Sequence, residues 1–374
     1  MAELKIKTPD TELEASGNEK FLESVLMKIY DKDVKPNPQK AGTEEVLMEL
    51  EAPEPDIKQD VVVIYDNAGI PSIMRRFSVI RNSELFEGGS SKVHSSFKVG
   101  DDEIDEIYIS VYPNCNINGK PYSLPGMKPW TNITNDDAAR ACFSKGEGWH
   151  LMTAQEWGLL ANLSLKNGTL PHGNTDFGKY HANPDEKGIL VDKSSGMTLT
   201  GTGPATWTHD HTITGVHDLC GNVWEMVRGL RFKDGKVQVA DNAALDVDLS
   251  ENSSEWRSLI DPESDETIRV DCTDGVRFTT EEKEDKDYTG CRWEDVKSDI
   301  GYTEEMKELA LYPGEPKAYC YIDGSEGEWF AYRGGNWYGG SSNGVFYLNG
   351  HDARSNTGNG IGFRSAYFRR KTVN

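Results

Sequence analysis

Apolar residues fall at helical spacing only briefly near the start of the chain. Phe21, Leu22, Val25, Leu26 and Ile29 share one face of a helix over Phe21 to Tyr30. Such a helix serves either as a docking or oligomerisation element or as packing for its own domain. Around it, residues 1–59 are rich in Lys, Glu and Pro, and Pro36, Pro38, Pro53 and Pro55 punctuate a linker. From Asp60 the period changes. Val61 to Tyr65 is a short β-type run, and Ile104 to Tyr112 alternates, with Ile107, Ile109 and Val111 set against Tyr108, Ser110 and Tyr112. Two helix starts follow. Thr134 caps a run in which Ala138, Ala139, Ala141 and Cys142 recur at helical spacing, and Thr153 stands three residues before Glu156 in a capping-box pattern. Beyond Thr198 the chain alternates Gly-rich turns with aromatic strands, so the expected class is α+β with much irregular structure.

Composition adds aromatic residues and glycines as the main structural material, with 9 Trp, 15 Tyr and 37 Gly in 374 residues. A net charge of -22 excludes a protein that tracks nucleic-acid phosphates and opposes an anionic membrane surface. Residues 241–330 hold 26 acidic and 9 basic side chains, so about -17 of the total lies there. From Ala331 onward Asp352 is the one acid beside Arg333, Arg354, Arg364, Arg369, Arg370 and Lys371. Acidic loops such as Asp285 to Asp287 lack the ligand spacing of a dedicated calcium loop. The cysteines Cys115, Cys142, Cys220, Cys272, Cys291 and Cys320 show neither C-x-x-C spacing nor a Cys/His cluster, so no metal is expected. Their scatter suits reduced thiols in a protein made in the cytosol, although Cys272, Cys291 and Cys320 lie close enough in sequence to pair. Neither a Sec-type leader nor a run of about eighteen apolar residues is present, so no membrane span is expected.

Three segments carry a resemblance by their order: Gly148 to Trp157 (GWHLMTAQEW), Gly215 to Glu225 (GVHDLCGNVWE), and Arg333-Gly334-Gly335-Asn336-Trp337 closing with Gly362-Phe363-Arg364. Together they resemble the formylglycine-generating, sulfatase-modifying-factor type of C-type-lectin fold. The resemblance implies a lectin-like domain over residues 60–374, interrupted by an acidic insertion at about 241–328, after an N-terminal segment, 1–59. Asp105 to Ser110 and Tyr122 to Gly126 resemble the strand and turn that precede this core in phage and prophage members. Physically the blocks read as scaffold: Trp157, Trp224, Trp337 and Phe363 supply apolar area, Gly334 a tight turn, and Asn222, Glu225, Arg333 and Arg364 polar brackets for long loops. A role for Asp218 or Glu225 as a catalytic acid lacks a neighbouring nucleophile in the sequence.

Catalytic members of that family carry a cysteine pair shortly after the Arg-Gly-Gly motif, and residues 336–374 contain no cysteine. The iron-dependent sulfoxide synthases need a further histidine-bearing domain, and residues 1–59 contain no His. No enzyme and no cofactor are therefore expected. Residues 336–364 instead resemble the variable region of diversity-generating-retroelement proteins, where adenine-directed mutagenesis leaves Asn, Ser, Tyr, Gly, Asp, His and Thr at exposed positions. The resemblance places ligand contacts at Tyr338, Gly339, Ser341, Tyr347, Asn349, His351, Asp352, Thr357 and Asn359, between the fixed-looking Trp337, Val345, Phe346, Leu348, Ala353, Ile361 and Phe363. Tyr, Ser, Gly and Asn are also what antibody combining loops favour, for rigid contact area and adaptable hydrogen bonds. His351 beside Asp352 reads alternatively as a dyad, but no third ligand or nucleophile accompanies it. The expected partner is a host surface protein or glycan, met on a phage tail or bacterial cell surface. A virion or self-association partner is expected at the N-terminal segment. A formylglycine-generating-type oxidase and a structural virion component are the rival readings.

Overall fold

The computed structural model describes residues 2–8, 11–17, 45–49, 60–282 and 288–370, with side chains from Val61 onward. The amphipathic stretch at Phe21 to Tyr30 and the acidic loop at Asp285 to Asp287 lie outside the described residues. Ala2–Thr8 and Thr11–Gly17 form a two-stranded hairpin that the sequence reading did not anticipate.

The chain is mixed α+β, mostly strand with few helices. A six-stranded sheet contains β1 (Glu45–Glu49), β2 (Asp60–Tyr65), β3 (Pro71–Ser78), β4 (Glu106–Ser110), β5 (Trp149–Leu151) and a strand from the end of the described chain, Ser365–Phe368. That last strand sits between β4 and β5, with Ala366 opposite both Ile109 and His150. The two ends of the domain are thus stitched into one sheet. Strand β4 is shorter than its alternating pattern and is buried on both faces, Tyr108 and Ser110 included. The alternation of β4 therefore marks two buried faces, not one wet and one dry.

Both helix starts form where the caps predict. Thr134 Oγ1 accepts from Asp137 N at 3.2 Å to open α1 (Asn135–Phe143), which buries Ala138, Ala139 and Cys142. Thr153 and Glu156 close a full capping box on α2 (Ala154–Lys166), whose Gly158 lets Glu308 and Leu309 approach the helix backbone.

The second sheet has eleven strands. Its centre is formed by β6 (Trp224–Lys233), β7 (Tyr319–Asp323), β8 (Glu328–Gly334) and β9 (Gly344–Ala353), with the short β10 (Ile361–Phe363) parallel to the start of β6. The acidic segment is not an appendage to this sheet. It supplies β7 and several outer strands, and Leu259, Ile268, Phe278, Trp293, Met306 and Leu311 from it join the main core. Some of its acids form ion pairs, such as Asp241 and Glu305 with Arg257, and Asp299 with Arg277. All six cysteines are free thiols, and Cys291 and Cys320 face each other across β7 and its edge neighbour without a bond.

Candidate ligand-binding surface

Strand β9 carries four of the nine predicted contact residues, Tyr347, Asn349, His351 and Asp352, and its neighbours fix it on both edges. It runs antiparallel to β8, with Arg333 opposite Leu348, and parallel to β7, with Cys320 opposite the same Leu348. Val345, Phe346 and Leu348 are fully buried. Two indoles anchor the backbone here, Trp157 Nε1 donating to Val345 O and Trp293 Nε1 to Phe346 O, each at 2.8 Å. This half of the predicted variable segment is therefore strand, not loop.

The burial of β9 corrects two expected surface positions. Tyr347 and Asn349 are only 9% and 6% exposed. They lie sunk between flanking strands, with Asn349 opposite Tyr332 on one side and Tyr321 on the other. His351 and Asp352 emerge where the strand leaves the core, with side chains 34% and 18% exposed. Their nearest charged approach is 3.9 Å, while His351 Nδ1 is bonded to Asn349 Oδ1 at 2.5 Å. Asp352 takes Asn356 Nδ2, and burial raises its carboxyl above the usual range against the pull of His351. Each side chain of the pair is thus held by an amide, His351 by Asn349 and Asp352 by Asn356.

The turn before β9 supplies the exposed aromatic. Tyr338 is 55% exposed, with its ring perpendicular to Trp224 and close to perpendicular to Trp337, both at 5.9 Å between centroids. Burial pushes the Tyr347 phenol up to about 12, with a hydrogen bond to Trp224 working against that shift and Asp352 and Tyr338 adding to it. Gly339 is a correction of another kind. A Cβ there would overlap Asn343 Oδ1, and the Asn343 amide also ties Asn336, so Gly339 is fixed by the turn.

Ser341 is exposed and accepts from Arg292 Nη2 at 3.3 Å, and Asn359 is exposed beside Gly360, which packs on Trp337. Thr357 stands apart from the Tyr338 group, lining a cleft of about 590 Å³ with Trp130, Asn132, Thr134, Asp137 and Arg140. Tyr338, Tyr347, Asn349, His351 and Asp352 are the positions that the fold brings together.

Three contributors escaped the sequence reading. Phe177, 58% exposed, lies against the same glycine, Gly196, that seats Trp337. From the acidic segment and β7, Tyr288 and Tyr321 enclose His351, with Tyr321 at 4.3 Å edge-on and Tyr288 at 6.5 Å in a stacked orientation. Aromatic residues beside Asp and Gly turns were the available signal, masked by the surrounding charge.

The predicted scaffold residues bracket this face from behind. Asn222, at a positive φ of 61°, accepts from Thr198 N at 2.9 Å and returns a bond to Thr198 O at 3.2 Å. Glu225 is bound by Arg364 through two hydrogen bonds, while the same guanidinium reaches Ser110 O and His217 O. Gly334 at φ 83° approaches Trp157, Phe363 is fully buried, and Arg333 is buried with one bond to Ala310 O. Trp224 is only half-buried and so belongs to the surface as much as to the scaffold. Asp218, which burial raises to about 6, accepts from Gly201 N at 2.8 Å as a loop bracket. Among the described residues no group of three or more His, Cys, Asp or Glu is placed to hold a metal, and no helix is long and apolar enough to cross a membrane.

Glu315 supports the start of β9, accepting from Phe346 N at 3.2 Å with its carboxylate packed where a Gly344 side chain would stand. Burial raises it from the ordinary 4.5 to about 7. Between those values the folded chain keeps a proton that the unfolded chain has lost, so stability falls as pH rises across the window. Relative to Glu315→Gln, the wild type is expected to lose about 1–3 kcal/mol between pH 4.5 and 7, the full shift being reduced by remaining solvent contact. Parallel denaturant curves of the two proteins would check this, and equal pH slopes would refute it.

No family model matches the chain, and no curated protein matches it. Among solved structures it is similar to Treponema denticola variable protein 1, with 13% identity and a TM-score of 0.31 over 80% of this chain and 96% of that one. A likeness of that size fixes neither fold family nor function.

Proposed function

We propose that this chain is a ligand-binding protein of the C-type-lectin type, with a recognition surface diversified by a retroelement. The single observation behind this reading is the layout of β9 and its preceding turn. Buried anchors Val345, Phe346 and Leu348 hold a backbone that presents Tyr338, His351 and Asp352 outward, flanked by Trp224 and Tyr321. A rigid base with polar and aromatic side chains at its rim is what adaptable recognition requires. On this reading the domain spans residues 60–374, acts without a cofactor and is not an enzyme. Its partner is a host surface protein or glycan, engaged from a phage tail or a bacterial surface.

The test is binding of the purified protein to bacterial cells beside the triple variant Tyr338→Ala, His351→Ala and Asp352→Ala, all solvent-touching positions. Loss of at least about 30-fold in affinity, the scale of one 2 kcal/mol anchor, is expected with an unchanged circular dichroism spectrum. Undiminished binding would place recognition elsewhere. A near-copy of the coding segment for residues 336–364, differing only at adenines, is expected close to the gene. Its absence would leave a binding surface without the diversifying element.

A further inference from the structure

The edge strand Tyr288–Arg292 pairs with β7 alone, antiparallel and in continuous register from Tyr288 opposite Asp323 to Arg292 opposite Tyr319. In that register Cys291 stands directly opposite Cys320. Among the described residues no other two cysteines are strand partners, and all six are free thiols. Opposed residues of an antiparallel pair point to the same side, with Cα atoms about 4.5–5.5 Å apart, inside the range of about 4.4–6.8 Å that a disulfide spans. Their Cβ atoms stand about 4.5–5.5 Å apart in such a pair and need to close by about 1 Å. An edge strand held on one side can make that adjustment.

The two thiols differ in access. Cys320 is fully buried in the main core, whereas Cys291 packs against that core with part of its surface in solvent. Cys291 is therefore the sulfur that a reagent meets first, and Cys320 the one that resolves. Burial raises both thiols above the ordinary value, so exchange is slow at neutral pH, and its second step draws on brief opening of the edge strand. A third thiol, Cys272, is buried and donates to Ile322 O at 3.5 Å, two residues along β7 from Cys320.

We propose that Cys291 and Cys320 are a modification site for small soluble disulfides such as oxidised glutathione, and that oxidation joins them into a cross-strand disulfide that clamps the edge strand onto β7. The Cys291 thiolate attacks one sulfur of oxidised glutathione, forming a mixed disulfide and releasing one glutathione thiolate. The Cys320 thiolate then attacks Cys291 Sγ, the mixed bond breaks and the second glutathione leaves. Two protein thiols lose two electrons and two protons, which the small disulfide gains as two thiols. On the opposite side of the same two strands Tyr288 and Tyr321 pack at 5.9 Å and enclose His351, so the clamp fixes the aromatic wall around that histidine.

The test incubates the reduced full-length protein with about 5 mM oxidised glutathione at about pH 8.5, where thiolate is more abundant, and reads intact mass, non-reducing peptide maps and amide exchange. Loss of two of the six thiols to one internal bond, mapped to Cys291 and Cys320 with an unchanged circular dichroism spectrum, is expected. Exchange over Tyr288–Arg292 should slow at least about tenfold and recover on reduction. Cys320→Ser should stop at a glutathione adduct on Cys291, Cys291→Ser should form neither adduct nor bond at Cys320, and Cys272→Ser should cross-link like the wild type. A bond to Cys272, a wild-type adduct on Cys291 that never resolves, no reaction of the folded protein, or a bond that leaves exchange unchanged would each overturn the proposal.

Discussion

Arg364→Met is expected to destabilise the protein by about 3–5 kcal/mol, because it leaves a buried carboxylate without its partner. Arg364 and Glu225 are 0% exposed, and burial raises the Glu225 carboxyl even against the attraction of the guanidinium. Arg364 Nη1 bonds Ser110 O at 3.1 Å, and Nη2, which also serves Glu225, bonds His217 O at 2.9 Å, so one side chain joins β4, β6 and the loop before β6. Removing it strands two carbonyls as well as a charge. A loss of this size is a large share of the 5–15 kcal/mol typical of a folded domain. The double variant Arg364→Met with Glu225→Met should recover part of that loss, since no isolated charge remains. Chemical denaturation followed by circular dichroism would measure both. A single-variant loss below about 1 kcal/mol would mean that Glu225 simply protonates and that the pair is not a keystone.

Trp157→Ala is expected to cost about 3–5 kcal/mol through cavity formation at a fully buried indole. The loss should also be felt on β9, because Trp157 Nε1 holds Val345 O at 2.8 Å. Trp157→Phe separates the two contributions. It retains most of the volume and forfeits the hydrogen bond, for an expected loss of about 1–3 kcal/mol from the unbonded carbonyl. Ligand binding should weaken in the Phe variant while the fold persists. Unchanged affinity in a protein with normal stability would show that β9 is held by its strand neighbours alone.

Local physics was the legible part of the sequence. Thr134 and Thr153 announce their helices because a cap needs only residues within one turn, and Val61 to Tyr65 announces its strand by a run of β-branched side chains. What lay beyond reach depends on partners far away in the chain. Nothing near Tyr347 or Asn349 reveals that β7, from the acidic segment, pairs alongside and covers them. The charge of that segment likewise conceals Ile268, Phe278 and Trp293, which are spaced too widely to form a periodic run yet pack into one core. Gly339 had the composition of a variable position, and only the fold shows Asn343 occupying the space of its side chain.

The placement of β9 between two hydrogen-bonded neighbours also limits how such a surface can change over generations. An added or lost residue between Val345 and Gly350 would shift the register by one and exchange the two buried faces for the rest of the strand. Leu348 would then trade faces with Tyr347 or Asn349, and a polar side chain would enter the space that an aliphatic one fills. Substitution at constant length avoids this, so this part of the protein tolerates exchange of letters far better than insertion or deletion.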